Sequence, residues 1–159
     1  MATPPPPPPN AEARALIDRL ALAPHPEGGY YRQTHKSDVV VPADALPAPS
    51  AYPGDRAACT CILFLLPAGH RSRPHRVRSE ELWLWHAGDP LRLGIADSPG
   101  GADRLAARLG PGPPDSFQLV VPPGMWQAAA PIEGGAHGYT LVGCVVAPGF
   151  EFDDFEMAE

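Results

Sequence analysis

A disulfide framework is not expected of this chain. It has three cysteines, an odd number, and Cys59 and Cys61 lie two apart in one predicted strand, sharing a face but held apart by the backbone. Reduced thiols and a cytoplasmic setting are therefore expected. An excess of positive charge is also missing: 12 Lys and Arg against 18 Asp and Glu leave a net charge of -6. That balance excludes broad attraction to phosphate backbones or anionic lipid, so neither nucleic acid nor membrane is an expected partner. No basic segment followed by an apolar stretch opens the chain, and the longest apolar run, Cys61 to Leu66, is far short of a bilayer span. The partner left is a small molecule.

What the chain has in plenty is punctuation. Its 23 prolines and 16 glycines interrupt an otherwise globular composition, 44% apolar, too often for long helices. A length of 159 residues suits one core. Residues 1–9, with the run Pro4 to Pro9, read as a disordered tail, and residues 10–159 as one domain. Asn10 offers an N-cap, and Ala13, Leu16, Ile17 and Leu20 fall on one face of a helix reaching about Leu22. Strands are predicted at Tyr30 to Thr34, Ala58 to Leu66, Leu82 to His86, Leu91 to Ala96, Ser116 to Val121, Trp126 to Ala130, Tyr139 to Val146 and Phe150 to Phe155. The turn residues Gly88-Asp89-Pro90 suggest that the third and fourth form a hairpin, and a proline-rich loop runs from Pro42 to Gly54. Short strands at this spacing indicate an all-β sandwich, jelly roll or small barrel with one N-terminal helix.

Chemistry concentrates between Gly69 and Gly88. By strand alternation His75 and Val77 share a face and, if the turn keeps phase, so do Glu81, Trp83 and Trp85. Gly69, His75, Glu81 and Gly88 then fall in register with the first motif of the cupin superfamily, which this stretch resembles; Val77 stands where that motif has a second metal-binding histidine. Pro122-Pro123-Gly124-Met125-Trp126-Gln127 resembles the second motif, with Gln127 in place of its histidine. Longer words, Leu22 to Tyr31, Arg78 to Trp83, Ala87 to Leu91, Val121 to Gln127 and Val142 to Phe150, resemble the fifth cupin family, a domain of unknown function. The resemblance covers about Leu16 to Glu156. It implies a double-stranded β-helix barrel, usually a homodimer, related in fold to sugar-nucleotide epimerases and without a settled reaction.

The residues suggest roles within such a barrel. His75 is the candidate base, Glu81 its orienting partner, and Tyr30, Tyr31 or Tyr139 the acid, which is epimerase or isomerase logic. Arg73 is the candidate clamp for a small anionic or sugar-like ligand, helped by Ser72 and Gln127. Trp83, Trp85 and Trp126 either floor the cavity or fill the barrel, and His25, Glu27 and Arg32 line the pocket or a dimer seam. Each role has a plainer counterpart, a histidine satisfied by backbone or a glutamate paired with Arg73 or Arg78. No cofactor is required; a divalent metal, if held, would take His75, Glu81 and the amide oxygen of Gln127, a poor set. The alternatives to an enzyme of this kind are a non-catalytic metabolite-binding protein and a metal-dependent oxygenase or isomerase.

Overall fold

The computed structural model describes residues 5–46 and 52–159; residues 1–4 of the tail and 47–51 of the proline-rich loop lie outside the described residues. Asn10 caps helix α1 (Ala11–Arg19), its side-chain oxygen accepting from the Ala13 amide at 2.8 Å. Among the described residues thirteen strands follow in chain order. The first six are β1 (Ala23–Pro24), β2 (Tyr30–Lys36), β3 (Val40–Val41), β4 (Arg56–Ala57), β5 (Thr60–Pro67) and β6 (Ser72–Val77). Then come β7 (Glu80–Gly88), β8 (Leu91–Ala96), β9 (Asp103–Leu109), β10 (Gln118–Val121), β11 (Trp126–Pro131), β12 (Tyr139–Ala147) and β13 (Phe155–Met157). Of the proline run, Pro7 lies against Gly69, and its carbonyl accepts a hydrogen bond from His70 Nε2 at 2.7 Å.

Two antiparallel sheets carry the fold. The larger has the order β1-β2-β5-β12-β7-β10 and the smaller β13-β6-β11-β8-β9. Period-two alternation explains why both faces of the larger sheet are apolar. Phe64 and Leu66 of β5, Trp83 of β7 and Val142 and Cys144 of β12 face the smaller sheet's Leu91, Leu93, Ile95 and Ala129 in the main core. The alternate residues Leu65, Tyr139 and Leu141 face outward under Ala13, Leu16 and Ile17 of α1. Burial of these side chains stabilises each by about 1.5–3 kcal/mol relative to exposure.

Two sequence expectations are corrected by the strand pairings. Glu80–Gly88 and Leu91–Ala96 do not form a hairpin: β7 pairs with β12 and β10, β8 with β11 and β9, so Gly88-Asp89-Pro90 is a corner where the chain crosses between sheets. Gly88 takes a φ of 87°, and a Cβ there would meet the Tyr139 carbonyl oxygen at 2.2 Å, so this corner needs glycine. The Asp89 carboxylate then holds the corner by accepting from the His137 and Gly138 amides at 2.9 and 2.7 Å. Phe150 to Phe155 is not a strand but a single 3-10 turn, Phe152–Asp154, entering β13. The mostly exposed β9 was not anticipated: Leu105, Ala107 and Leu109 alternate with Arg104 and Arg108, but of these only Leu109 is buried.

Candidate functional site

The order of events in β6 decides what the site contains. Opposite it on β11, Gln127 pairs with His75 and Ala129 with Ser72, so two steps on one strand match three on the other. The extra residue is a bulge at Arg73-Pro74, where proline has no amide to offer a ladder. Strict alternation would turn Arg73 inward with His75 and Val77. The bulge instead buries Ser72, His75 and Val77 and leaves Arg73 exposed, its guanidinium donating to the Pro26 carbonyl. Arg73 is thus not a clamp within the cavity.

Glu27 takes the place on His75 that Glu81 was expected to fill. The loop before β2 closes on itself through Gly28 N to His25 O and His25 N to Gly29 O, both 3.0 Å. It lies so close to β6 that a Cβ on Gly28, at a φ of 115°, would meet the Arg71 carbonyl oxygen at 2.3 Å. This turns Glu27 inward, 6% exposed. Its Oε1 accepts from Ser72 Oγ at 2.9 Å and its Oε2 sits 3.2 Å from His75 Nε2. His75 Nδ1 lies 2.8 Å from the Arg73 carbonyl, which only accepts, so Nδ1 carries the proton and Nε2 is bare. A bare nitrogen facing a carboxyl oxygen requires one proton between them.

Burial decides where that proton resides. Desolvation lowers the His75 pKa to about 4, and it raises Glu27 well above the usual carboxylate range, with the nearby Glu81 adding to the rise. The pair is therefore neutral, with the proton on Glu27. His25 is likewise pushed to about 4, by burial and then by His75. Its Nδ1 accepts from the Glu27 amide at 3.2 Å.

Glu81 reaches the same cavity from β7 of the opposite sheet. Its pKa is raised to about 7 by burial, against hydrogen bonds from Gln127 and Cys144. Gln127 has no freedom to turn. Trp83 Nε1, which can only donate, gives its proton to Gln127 Oε1 at 2.9 Å, so the amide nitrogen faces Glu81 Oε2 at 2.5 Å. Replacing Trp83 with Phe would leave that buried oxygen unpaired and is expected to cost about 1–3 kcal/mol, measured by urea unfolding.

The cavity enclosed by these groups is about 270 Å³, at the small end of ligand sites. His75, Glu27, Glu81 and Cys144 form its buried floor, and Tyr31, Phe64, Phe150, Phe152 and Phe155 its aromatic wall. Of the residues expected at the site, His75, Glu81 and Glu27 are brought together and Ser72 and Gln127 support them from behind. Trp83 belongs to the core, and Trp85 donates to the Asp89 carbonyl at 3.3 Å rather than lining the cavity. Arg32 is exposed, because alternation along β2 turns Tyr31 and Gln33 inward instead. Tyr139 is on the outer face of the larger sheet, its hydroxyl donating to Glu12 of α1 at 3.0 Å, so among the three candidate tyrosines only Tyr31 reaches the cavity. Cys144 was missed, though the alternation of β12 places it inward with Val142.

A profile of the family described as Cupin superfamily (DUF985) matches residues 14–158. The chain belongs to the cupin superfamily. Its all-β cupin fold with one helix is shared by a hypothetical protein from Leishmania major, 34% identical, with a TM-score of 0.76 over 92% of this chain and 86% of that one. A protein from Shewanella oneidensis is 35% identical, with a TM-score of 0.75 over 94% and 85%. Bacillus subtilis oxalate decarboxylase, 18% identical with a TM-score of 0.54 over 84% of this cupin and 29% of its own chain, shares the fold alone. No curated protein matches the sequence.

The metal implied by the general cupin motifs does not fit these residues. Val77 is apolar, the Gln127 oxygen is taken by Trp83, and His75 Nε2 faces Glu27. Among the described residues no group of three or more His, Cys, Asp and Glu is arranged to hold a metal ion.

Proposed function

We propose that this cupin performs acid-base chemistry on a small molecule, moving a proton at carbon next to a carbonyl as an epimerase or isomerase does. The observation that carries the reading is one cavity floor holding a carboxyl that titrates near neutrality, Glu81 at about 7, beside a second carboxyl that keeps its proton against a bare imidazole nitrogen. Two acids with their pKa values pushed apart are suited to opposite halves of a proton transfer. Glu81 takes the C–H proton and Glu27 gives its own to the carbonyl oxygen, so that an enol forms, Glu81 is protonated, and Glu27 is left ionised with its hydrogen bond to His75 Nε2 broken. Return of that proton from Glu81 to the neighbouring carbon, as Glu27 takes back a hydroxyl proton, gives the carbonyl compound with its hydrogen relocated. The expected anionic ligand loses its support with Arg73 outside the cavity.

Incubation of the protein with small hydroxy-aldehydes and hydroxy-ketones in deuterium oxide, followed by proton NMR, tests this. The expected result is exchange of the C–H beside the carbonyl, slowed at least about 100-fold by Glu81→Gln. Ligand binding without exchange of any probe would make the protein a non-catalytic binder and overturn the proposal.

A further inference from the structure

Five aromatic side chains line a cavity whose floor is acidic. Phe150, Phe152 and Phe155 meet edge to face at 5.0, 6.0 and 6.1 Å between centroids, so their rings present differently directed faces and edges. Tyr31 stands across His25, 4.4 Å away and nearly perpendicular to it. Phe152 is 51% exposed at the mouth, which leaves its ring free to meet an incoming group.

The unpaired charge available at the cavity is negative: Glu81 lies on the floor beside the protonated Glu27, and Glu151 at the rim. The single ammonium among the described lining residues, Lys36, is already paired with Glu151 at 2.6 Å. No arginine is among them: Arg56 and Arg78 are held by Asp154, Arg76 by Glu156, and Arg73 is turned outward. An anion would therefore meet carboxyl groups with no free cation to receive it. A densely hydroxylated ligand would find few polar partners on a wall made mostly of rings. A weakly hydrated organic cation suits both features, since π faces and a carboxylate each attract it.

We infer that the cavity selects an organic ammonium ion, with the aromatic wall around its alkyl groups and Glu81 beneath its charge. This deepens the proton-transfer reading, because the substrate becomes an amine-bearing carbonyl compound, and it rests on that reading only for turnover. The groups facing Glu81 are Gln127, Cys144 and Glu27, and those facing Glu27 are His25, His75, Ser72 and Arg73. Of these only Arg73 is a fixed cation, and it stands outside the cavity.

Choline and its uncharged carbon isostere 3,3-dimethylbutan-1-ol, titrated calorimetrically into the full chain at pH 8, separate charge from shape. Choline is expected to bind at least tenfold more tightly than the alcohol. Phe152→Leu, at an exposed position that tolerates change, should remove most of that advantage by weakening choline more than the alcohol; Glu81→Gln should do the same. Equal affinities, tighter binding of the alcohol, or binding of neither probe would overturn the inference. Choline binding without deuterium exchange in any carbonyl probe would remove only the catalytic reading. Exchange of uncharged probes without a preference for choline would remove only the ammonium.

Discussion

Glu81→Gln should make the protein more stable at pH 8 relative to wild type than it does at pH 4.5. The folded protein holds the Glu81 proton up to about pH 7, whereas an unfolded glutamate releases it near 4.5. Between those values the native state binds more protons than the unfolded state, so this group's contribution is complete below 4.5 and is lost as pH rises through 7. Glutamine keeps the shape and cannot ionise. The span corresponds to about 3 kcal/mol, or roughly 6–12 °C in melting temperature for a chain of this size. His25 and His75 act in the opposite sense. Pushed to about 4, they contribute stability that is lost as pH falls from 6.5 through 4, and this cancels between wild type and variant. A melting-temperature difference independent of pH would show that Glu81 titrates as an ordinary glutamate.

Asp154→Ala should be the most destabilising single change near the cavity. Arg56 is buried and doubly bonded to this carboxylate, through Nε to Oδ2 at 2.7 Å and Nη2 to Oδ1 at 2.9 Å. Arg78 Nε adds a third bond at 3.0 Å. Removing the acid leaves a buried guanidinium uncompensated, at a cost of about 3 kcal/mol. The same carboxylate fixes the turn Phe152–Asp154, so the aromatic wall should lose order with it. Chemical denaturation reports the first effect and the near-ultraviolet dichroism of the aromatic rings the second. A loss below about 1 kcal/mol would mean that the pair is solvated rather than buried.

Much of the fold was legible because period-two alternation in β5, β7 and β12 sorts residues between two apolar faces. Phe64 and Leu66 part from Leu65 in this way, and Glu81 and Trp83 from Leu82. The His75 and Glu81 spacing marked the cavity for the same reason, and the structure brings both into it. Alternation failed wherever the backbone breaks period. The bulge at Arg73-Pro74 reversed the expected direction of Arg73 and brought Ser72 inward, and nothing local distinguishes such a bulge from a regular edge. Gly88-Asp89-Pro90 has the composition of a hairpin turn, and only the pairing partners of its two strands reveal a corner. Glu27 was recognised as a lining residue, but its hold on His75 depends on a loop 48 positions away in sequence folding over β6. Tyr139 was misplaced among the acids because its parity is inward or outward only once the register of β12 is known.

The central claim is that the cavity floor stores its protons on carboxyl groups rather than on imidazoles. Carbon-13 NMR of the glutamate side-chain carboxyls across a pH titration tests it directly. The account predicts one resonance moving with a midpoint near 7 and absent in Glu81→Gln, and a second, absent in Glu27→Gln, that moves well above the usual carboxylate range. All glutamate carboxyls titrating near 4.5, with the His75 ring protonated at neutral pH, would contradict it.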